Sequence, residues 1–190
     1  MFQRPTKPIG AFFTAEEAAV LRTSGTTMIE DSGRGYREVV ASPMPTDILE
    51  KKAILDLVTA GHVVIAGGGG GIPTVCKDNW YKAIDAVIDK DYVSVMLAAD
   101  TACDAMAILT GVEKVSINFN TPHQQDLDEL TVADAEKYIA EGQFPEGSML
   151  PKIRAAIRFT TSGPGRRTLI TSLDKLVEGL KGQTGTWVVP

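Results

Sequence analysis

Val87-Ile88-Asp89-Lys90-Asp91 sets one ammonium group between two carboxylates in consecutive positions. Such a trio suits phosphoryl transfer: the cation neutralises phosphate oxygens, and a carboxylate orients that cation or holds magnesium. It also suits a solvated charge cluster at the start of a helix. A second lysine of interest is Lys152, in Gly147-Ser148-Met149-Leu150-Pro151-Lys152. Here Ser148 has the chemistry of an N-cap, and Pro151 fits a first helical turn. A lysine at that end opposes the helix dipole unless an anion is bound there.

A third stretch, Val63-Val64-Ile65-Ala66, runs into five consecutive glycines, Gly67 to Gly71, and ends at Ile72-Pro73. Glycine is costly to order, so a run of five asks for a reason. Gly68, Gly69 and Gly70 could line a nest of backbone N–H groups for a phosphate, or form a tight structural turn. No helix start follows, as a dinucleotide fingerprint requires, and no Gly-Lys-Ser/Thr follows, as a Walker loop requires.

The elements that must carry these residues alternate in type. Thr14-Ala15-Glu16-Glu17 reads as a capping box opening a helix that stops near Gly25. A strand is expected over Tyr36–Ala41 and a helix over Thr46–Ala60, with Ile48, Ile54, Leu55 and Val58 on one face. His62–Ala66 reads as a buried parallel strand, which makes His62 a structural histidine and puts the glycines beyond its carboxyl end. Further on, helices are expected over Asp89–Asp100, Thr131–Glu141, Pro151–Thr160 and Leu173–Leu180. Strands are expected over Ala105–Leu109, read as another buried strand, and over Lys114–Phe119, Thr168–Thr171 and Thr186–Val189. This succession predicts an α/β fold, a three-layer sandwich with a mostly parallel sheet. The first 45 residues, rich in proline and glycine, read as a flap or small subdomain (1–45) on a larger α/β domain (46–190).

Composition narrows the function classes. Of 190 residues, 44% are hydrophobic and 23% charged, the balance of a globular chain, and the net charge of −5 disfavours nucleic acid and anionic membranes as partners. No apolar run reaches the length of a membrane span, and the opening residues lack a secretory signal, so a cytoplasmic protein is expected. Cys76 and Cys103 stand far apart without a histidine cluster, as two free thiols rather than a zinc site. Trp80 and Trp187 are expected to pack, and His123 to be solvated.

Several strings taken together resemble the carbamate kinases of the amino-acid kinase superfamily. They are PTKPIG (5–10), EDSGRGYREVVASPMP (30–45), GGGGIP (68–73), AVIDKD (86–91), ILTGVEKVSINF (108–119), GQFPEGSMLPK (142–152), AAIRF (155–159), LITSL (169–173) and GTWVV (185–189). The resemblance implies the reversible reaction of ATP and carbamate to ADP and carbamoyl phosphate, with Mg²⁺, in arginine or related nitrogen catabolism. It implies a dimeric enzyme whose carboxyl half binds the nucleotide under a protruding flap. By the same resemblance, Lys7 reaches the substrate, Lys90 stabilises the transferring phosphoryl group, and Asp91 or Asp89 orders the lysines. Lys152 acts on the ATP phosphates. The region Leu109–Phe119, with Gly111, Val112 and Phe119, walls the adenine and ribose pocket together with Met149, and Pro151 shapes the helix start beside it.

The resemblance has gaps. The family's Gly-Gly-Asn strand and Ser/His-Gly-Asn-Gly loop, which hold carbamate and the transferred phosphate, are absent, and Met1 falls where the family is in mid-chain. Asp78–Ala83 departs from the usual glycine-containing stretch, and Ala41 stands where proline is frequent. A chain truncated in this way is expected to pair with a second copy or with a complementing amino-terminal half. The alternative function is a catalytically inactive nucleotide-binding or structural subunit lacking the substrate half.

Overall fold

The computed structural model describes residues 5–31, 33–146 and 148–190. Along the chain the strands are β1 (Lys7–Phe13), β2 (Met28–Glu30), β3 (Tyr36–Val40), β4 (Thr74–Lys77), β5 (Trp80–Ala83), β6 (Ala105–Thr110), β7 (Val115–Ile117), β8 (Gln125–Leu127), β9 (Glu129–Thr131), β10 (Arg167–Ser172) and β11 (Thr186–Val189). The α-helices are α1 (Ala15–Thr23), α2 (Lys51–Thr59), α3 (Lys90–Asp100), α4 (Val132–Ala140), α5 (Met149–Thr160) and α6 (Leu176–Leu180), the last preceded by a 3₁₀ turn over Leu173–Lys175. The chain divides into two compact units, residues 1–48 with 65–93, and residues 49–64 with 94–190.

In the first unit β1, β3 and β2 form an antiparallel sheet in the order β1-β3-β2. The capping box at Thr14 forms as the sequence predicts: Glu17 N–H donates to Thr14 Oγ1, and Thr14 N–H donates to a Glu17 carboxylate oxygen. The sheet is locked by one buried acid. Asp31 accepts from Arg34 at 3.1 Å and from Arg37 at 3.3 Å, and both guanidinium groups stand over the Phe12 ring at 4.8 and 5.1 Å. A second hairpin, β4–β5, turns at Asp78-Asn79, both with positive φ, as a two-residue hairpin turn requires. Ala41 is buried, and its carbonyl accepts from Val87 N–H at 3.0 Å.

The second unit holds a four-stranded mixed sheet in the order β6-β10-β11-β9. The β6–β10 and β11–β9 pairs are parallel and β10–β11 is antiparallel. Helix α5 packs on this sheet because Ile153, Ala156, Phe159 and Thr160 recur at helical spacing on its buried face. Leu130, Ile170 and Val188 come from the sheet to meet it. Buried hydroxyls are satisfied internally: Thr186 Oγ1 accepts from Val115 N–H at 2.8 Å and donates to the Leu127 carbonyl. Helix α4 starts at the expected cap, where Thr131 Oγ1 accepts from Asp134 N–H.

Several expectations are corrected. The sheets are several and mixed, with two antiparallel hairpins and an antiparallel three-stranded sheet, so a mostly parallel three-layer sandwich does not describe the molecule. The segment His62–Ala66 is not a buried strand. It is irregular, with Val63 98% and Ile65 99% exposed and His62 exposed too. An apolar run becomes a strand only beside a partner, and among the described residues no strand pairs with it. Helix α2 begins later than Thr46 and buries none of its residues, and Trp80 is 80% exposed rather than packed. Strand β6 also departs from a fully buried strand. It lies at the sheet edge and alternates, with Met106 and Ile108 inward and Ala105, Ala107 and Leu109 outward. Trp187, by contrast, packs as expected, donating to the Gly179 carbonyl at 3.3 Å beneath Arg167.

Candidate active site

Within the first unit the structure brings together Lys7, Asp89, Lys90, Asp91 and Gly70. Lys7 opens β1 at the edge of the three-stranded sheet, and its ammonium donates to Asp89 Oδ2. The other carboxylate oxygen, Asp89 Oδ1, accepts from Asp91 N–H at 2.9 Å, so Asp89 caps the start of α3. Burial pushes the Asp89 carboxyl upward. The Lys7 hydrogen bond, the Asp91 N–H and the charges of Lys7 and Lys90 outweigh it and hold the group below the ordinary aspartate value. Asp89 is therefore an ionised acceptor at neutral pH. Lys90 is the first residue of α3, exposed, with its Nζ 3.9 Å from Asp91 Oδ1, and Asp91 is buried. Lys7 and Lys90 thus each contact a carboxylate, Asp89 and Asp91, the two acids that flank Lys90 in sequence. The result is a charge-balanced, hydrogen-bonded corner of two ammonium groups and two carboxylates.

The glycine run divides by position. Gly70 N–H donates to the Gly67 carbonyl at 2.8 Å, closing a turn. Gly68 and Gly69 are exposed with open space around them, whereas Gly70 is buried. The expectation that the run follows the carboxyl end of a buried strand is corrected along with that strand.

In the second unit, Gly111 and Val112 directly follow β6 at its carboxyl end, where ligands of α/β sheets are bound. Phe119 is 49% exposed, in the turn after β7. Met149, Pro151 and Lys152 form the first turn of α5. Ser148 occupies the N-cap position but makes no side-chain capping bond, and the first turn holds no acidic residue. Lys152 Nζ reaches the Ser148 carbonyl at 3.4 Å. The first turn of the helix thus carries a lysine at the positive end of the helix dipole. Gly147 lies outside the described residues, as does Ser32.

Two groupings were not legible as site features in the sequence. In the Asp31–Arg34–Arg37–Phe12 cluster, Asp31, Arg34 and Arg37 belong to EDSGRGYREVVASPMP (30–45), and Phe12 lies outside the matching strings. Its signal is an acid followed by arginines at three and six positions. The Lys7–Asp89 pair spans 82 positions and leaves no local trace. Among the described residues no three His, Cys, Asp or Glu side chains gather as metal ligands, and no helix is long and apolar enough to cross a membrane. Cys76 and Cys103 are free thiols.

Comparison with known proteins adds the following. Residues 13–172 match the profile of the amino acid kinase family. The chain is 54% identical over 185 residues to the carbamate kinase-like protein YqeA of Escherichia coli, and 51% identical over 189 residues to carbamate kinase 2 of Staphylococcus aureus. These alignments cover 97% and 98% of the chain. The chain spans about 60% of the length of these relatives. A structure of carbamate kinase from Giardia lamblia bound to AMP-PNP superposes with a TM-score of 0.84 at 39% identity, over 99% of this chain and 60% of that one. The same enzyme bound to citric acid gives 0.91, again at 39% identity, over 99% of this chain and 59% of that one.

Proposed function

This chain belongs to the amino acid kinase family, and from that premise we propose that it is the nucleotide-binding part of a carbamate kinase-like phosphotransferase. The reaction is ATP and carbamate to or from ADP and carbamoyl phosphate. In this reading residues 1–45 serve as the flap and 46–190 as the nucleotide-binding domain. Lys7 reaches the substrate, Asp89 and Asp91 order the lysines, and Lys90 neutralises the transferring phosphoryl group. Lys152 and the first turn of α5, with Met149 and Pro151, take the nucleotide phosphates. Gly111, Val112 and Phe119 line the adenine and ribose. Gly68 and Gly69 offer open backbone to an anion.

The observation that carries the reading is the Lys7–Asp89 pair immediately before Lys90. Transfer of a phosphoryl group needs little covalent help. Positioning and charge neutralisation supply most of the rate, and fixed ammonium groups provide both. Mg²⁺ bound with the nucleotide would supply further neutralisation of phosphate charge, and Asp89 and Asp91 are the carboxylates at hand beside Lys90.

A second reading is a module that holds nucleotide without turnover, or a structural subunit. A coupled assay forming ATP from carbamoyl phosphate and ADP separates the two. Turnover by the purified chain supports the kinase. Calorimetric binding of ADP without turnover supports the inactive module, and neither result leaves a structural subunit. Exposed Val63, Ile65 and the α2 side chains Leu55, Leu57 and Val58 favour association with a second copy or a complementing half. Size-exclusion chromatography of the chain as an oligomer is the expected outcome, and a clean monomer counts against it.

A further inference from the structure

Gly70 differs from its neighbours in the run. Its φ is +133°, and a Cβ built on it would stand 2.2 Å from the Ile88 carbonyl oxygen and 3.0 Å from the Ile88 carbonyl carbon. No side chain fits that space, and the obstacle is backbone, which cannot rotate away. Gly68, Gly69 and Gly71 meet nothing within 4 Å. The Ile88 carbonyl belongs to the peptide plane that leads into Asp89. From Asp89 one carboxylate oxygen takes the Lys7 ammonium, the other takes Asp91 N–H, and the main-chain carbonyl accepts from Val93 N–H at 3.3 Å in the first turn of α3.

We propose that Gly70 is a positioning residue: its bare α-carbon lets the glycine turn press against the Ile88 peptide, and that contact sets the backbone that aims Asp89 at Lys7. One glycine of the five thus acts on the charged corner through packing, while Gly68 and Gly69 remain open to solvent or ligand. The proposal rests on the phosphotransferase reading only for the part that Asp89 plays in the reaction.

The test compares Gly70→Ala with Gly69→Ala in the full chain, reading the Asp89 carboxyl by ¹³C NMR through an acid titration. In Gly70→Ala the Asp89 midpoint rises toward the ordinary aspartate value, because the Lys7 contact is lost. In Gly69→Ala, where the new methyl meets open space and the backbone lies outside the left-handed region, the midpoint stays at its native position. A folded Gly70→Ala chain with an unmoved midpoint overturns the proposal, as does an equal rise in both variants. Should Gly70→Ala not fold, the native chain decides: an NOE between the Gly70 α-protons and the Ile88 β-proton is expected, and its absence overturns the proposal. ADP titration of the native chain is run alongside. Failure to bind nucleotide removes the phosphotransferase reading and leaves the Asp89 comparison standing.

Discussion

The ammonium of Lys7, at the start of β1, donates to the carboxylate of Asp89, at the start of α3, across 82 positions of chain. Together they anchor the first strand of the three-stranded sheet to the turn that presents Lys90. Replacing Lys7 by Ala should cost about 1–2 kcal/mol, the scale of a hydrogen bond to a charged group discounted for partial exposure. Chemical denaturation of the purified chain measures it, and an unchanged midpoint would mean the pair contributes nothing.

The same pair predicts an acid dependence with a definite sign. Asp89 is held below its ordinary value when folded, so its contribution is present above the unfolded value of about 3.9 and fades as pH falls through the lower folded value. Stability of the native chain should drop below about pH 4, and Asp89→Asn should remove part of that drop while lowering stability at neutral pH. Denaturation midpoints collected from pH 6 to 3 check both halves. A drop of equal size in Asp89→Asn would assign it to other carboxylates.

Asp31 should matter to its sheet more than its position in a hairpin suggests. It is buried and receives two arginines that also stack on Phe12. Asp31→Ala removes the carboxylate acceptor of both guanidinium groups, with Arg34 left to solvent and Arg37 to the Gly10 carbonyl, and should lower stability by about 1–3 kcal/mol, the scale of hydrogen bonds to charged groups. Amide exchange at Tyr36–Val40 should accelerate with it. Protection unchanged at those amides would show the sheet holds without the acid.

In contrast, Val63→Ser and Ile65→Ser should be nearly neutral for the monomer, measured at dilutions where the chain does not associate, within about 0.5 kcal/mol, because both side chains are almost wholly exposed. A loss of several kcal/mol in either would reinstate a buried strand at His62–Ala66. The core gives the opposite case: Phe159→Ala should cost about 3–5 kcal/mol.

Much of the fold could be read from sequence where local signals sufficed. The Thr14 and Thr131 caps, the α5 periodicity and strands β3, β10 and β11 are set by residues within one or two turns of each other. The buried strand expected at His62–Ala66 failed because an apolar run reports what a segment could bury, not whether a neighbour exists. The β4–β5 hairpin was missed although Asp78-Asn79 is a turn pair able to adopt positive φ. Its exposed Trp80 and Tyr81 mimic packing residues. At the site, Lys90 and Lys152 stood out because charged residues at helix starts obey positional rules. The Lys7–Asp89 contact and the packing of Gly70 were hidden, since both depend on chain segments that only the fold brings together.

The central claim is that the first turn of α5, led by Lys152, holds nucleotide phosphate. Calorimetric titration of the native chain and of Lys152→Ala with ADP tests it most directly. Saturable binding by the native chain, weakened about tenfold or more in the variant, is the predicted result, a change of ~1.4 kcal/mol at least. Binding of ADP with equal affinity by both proteins would contradict it.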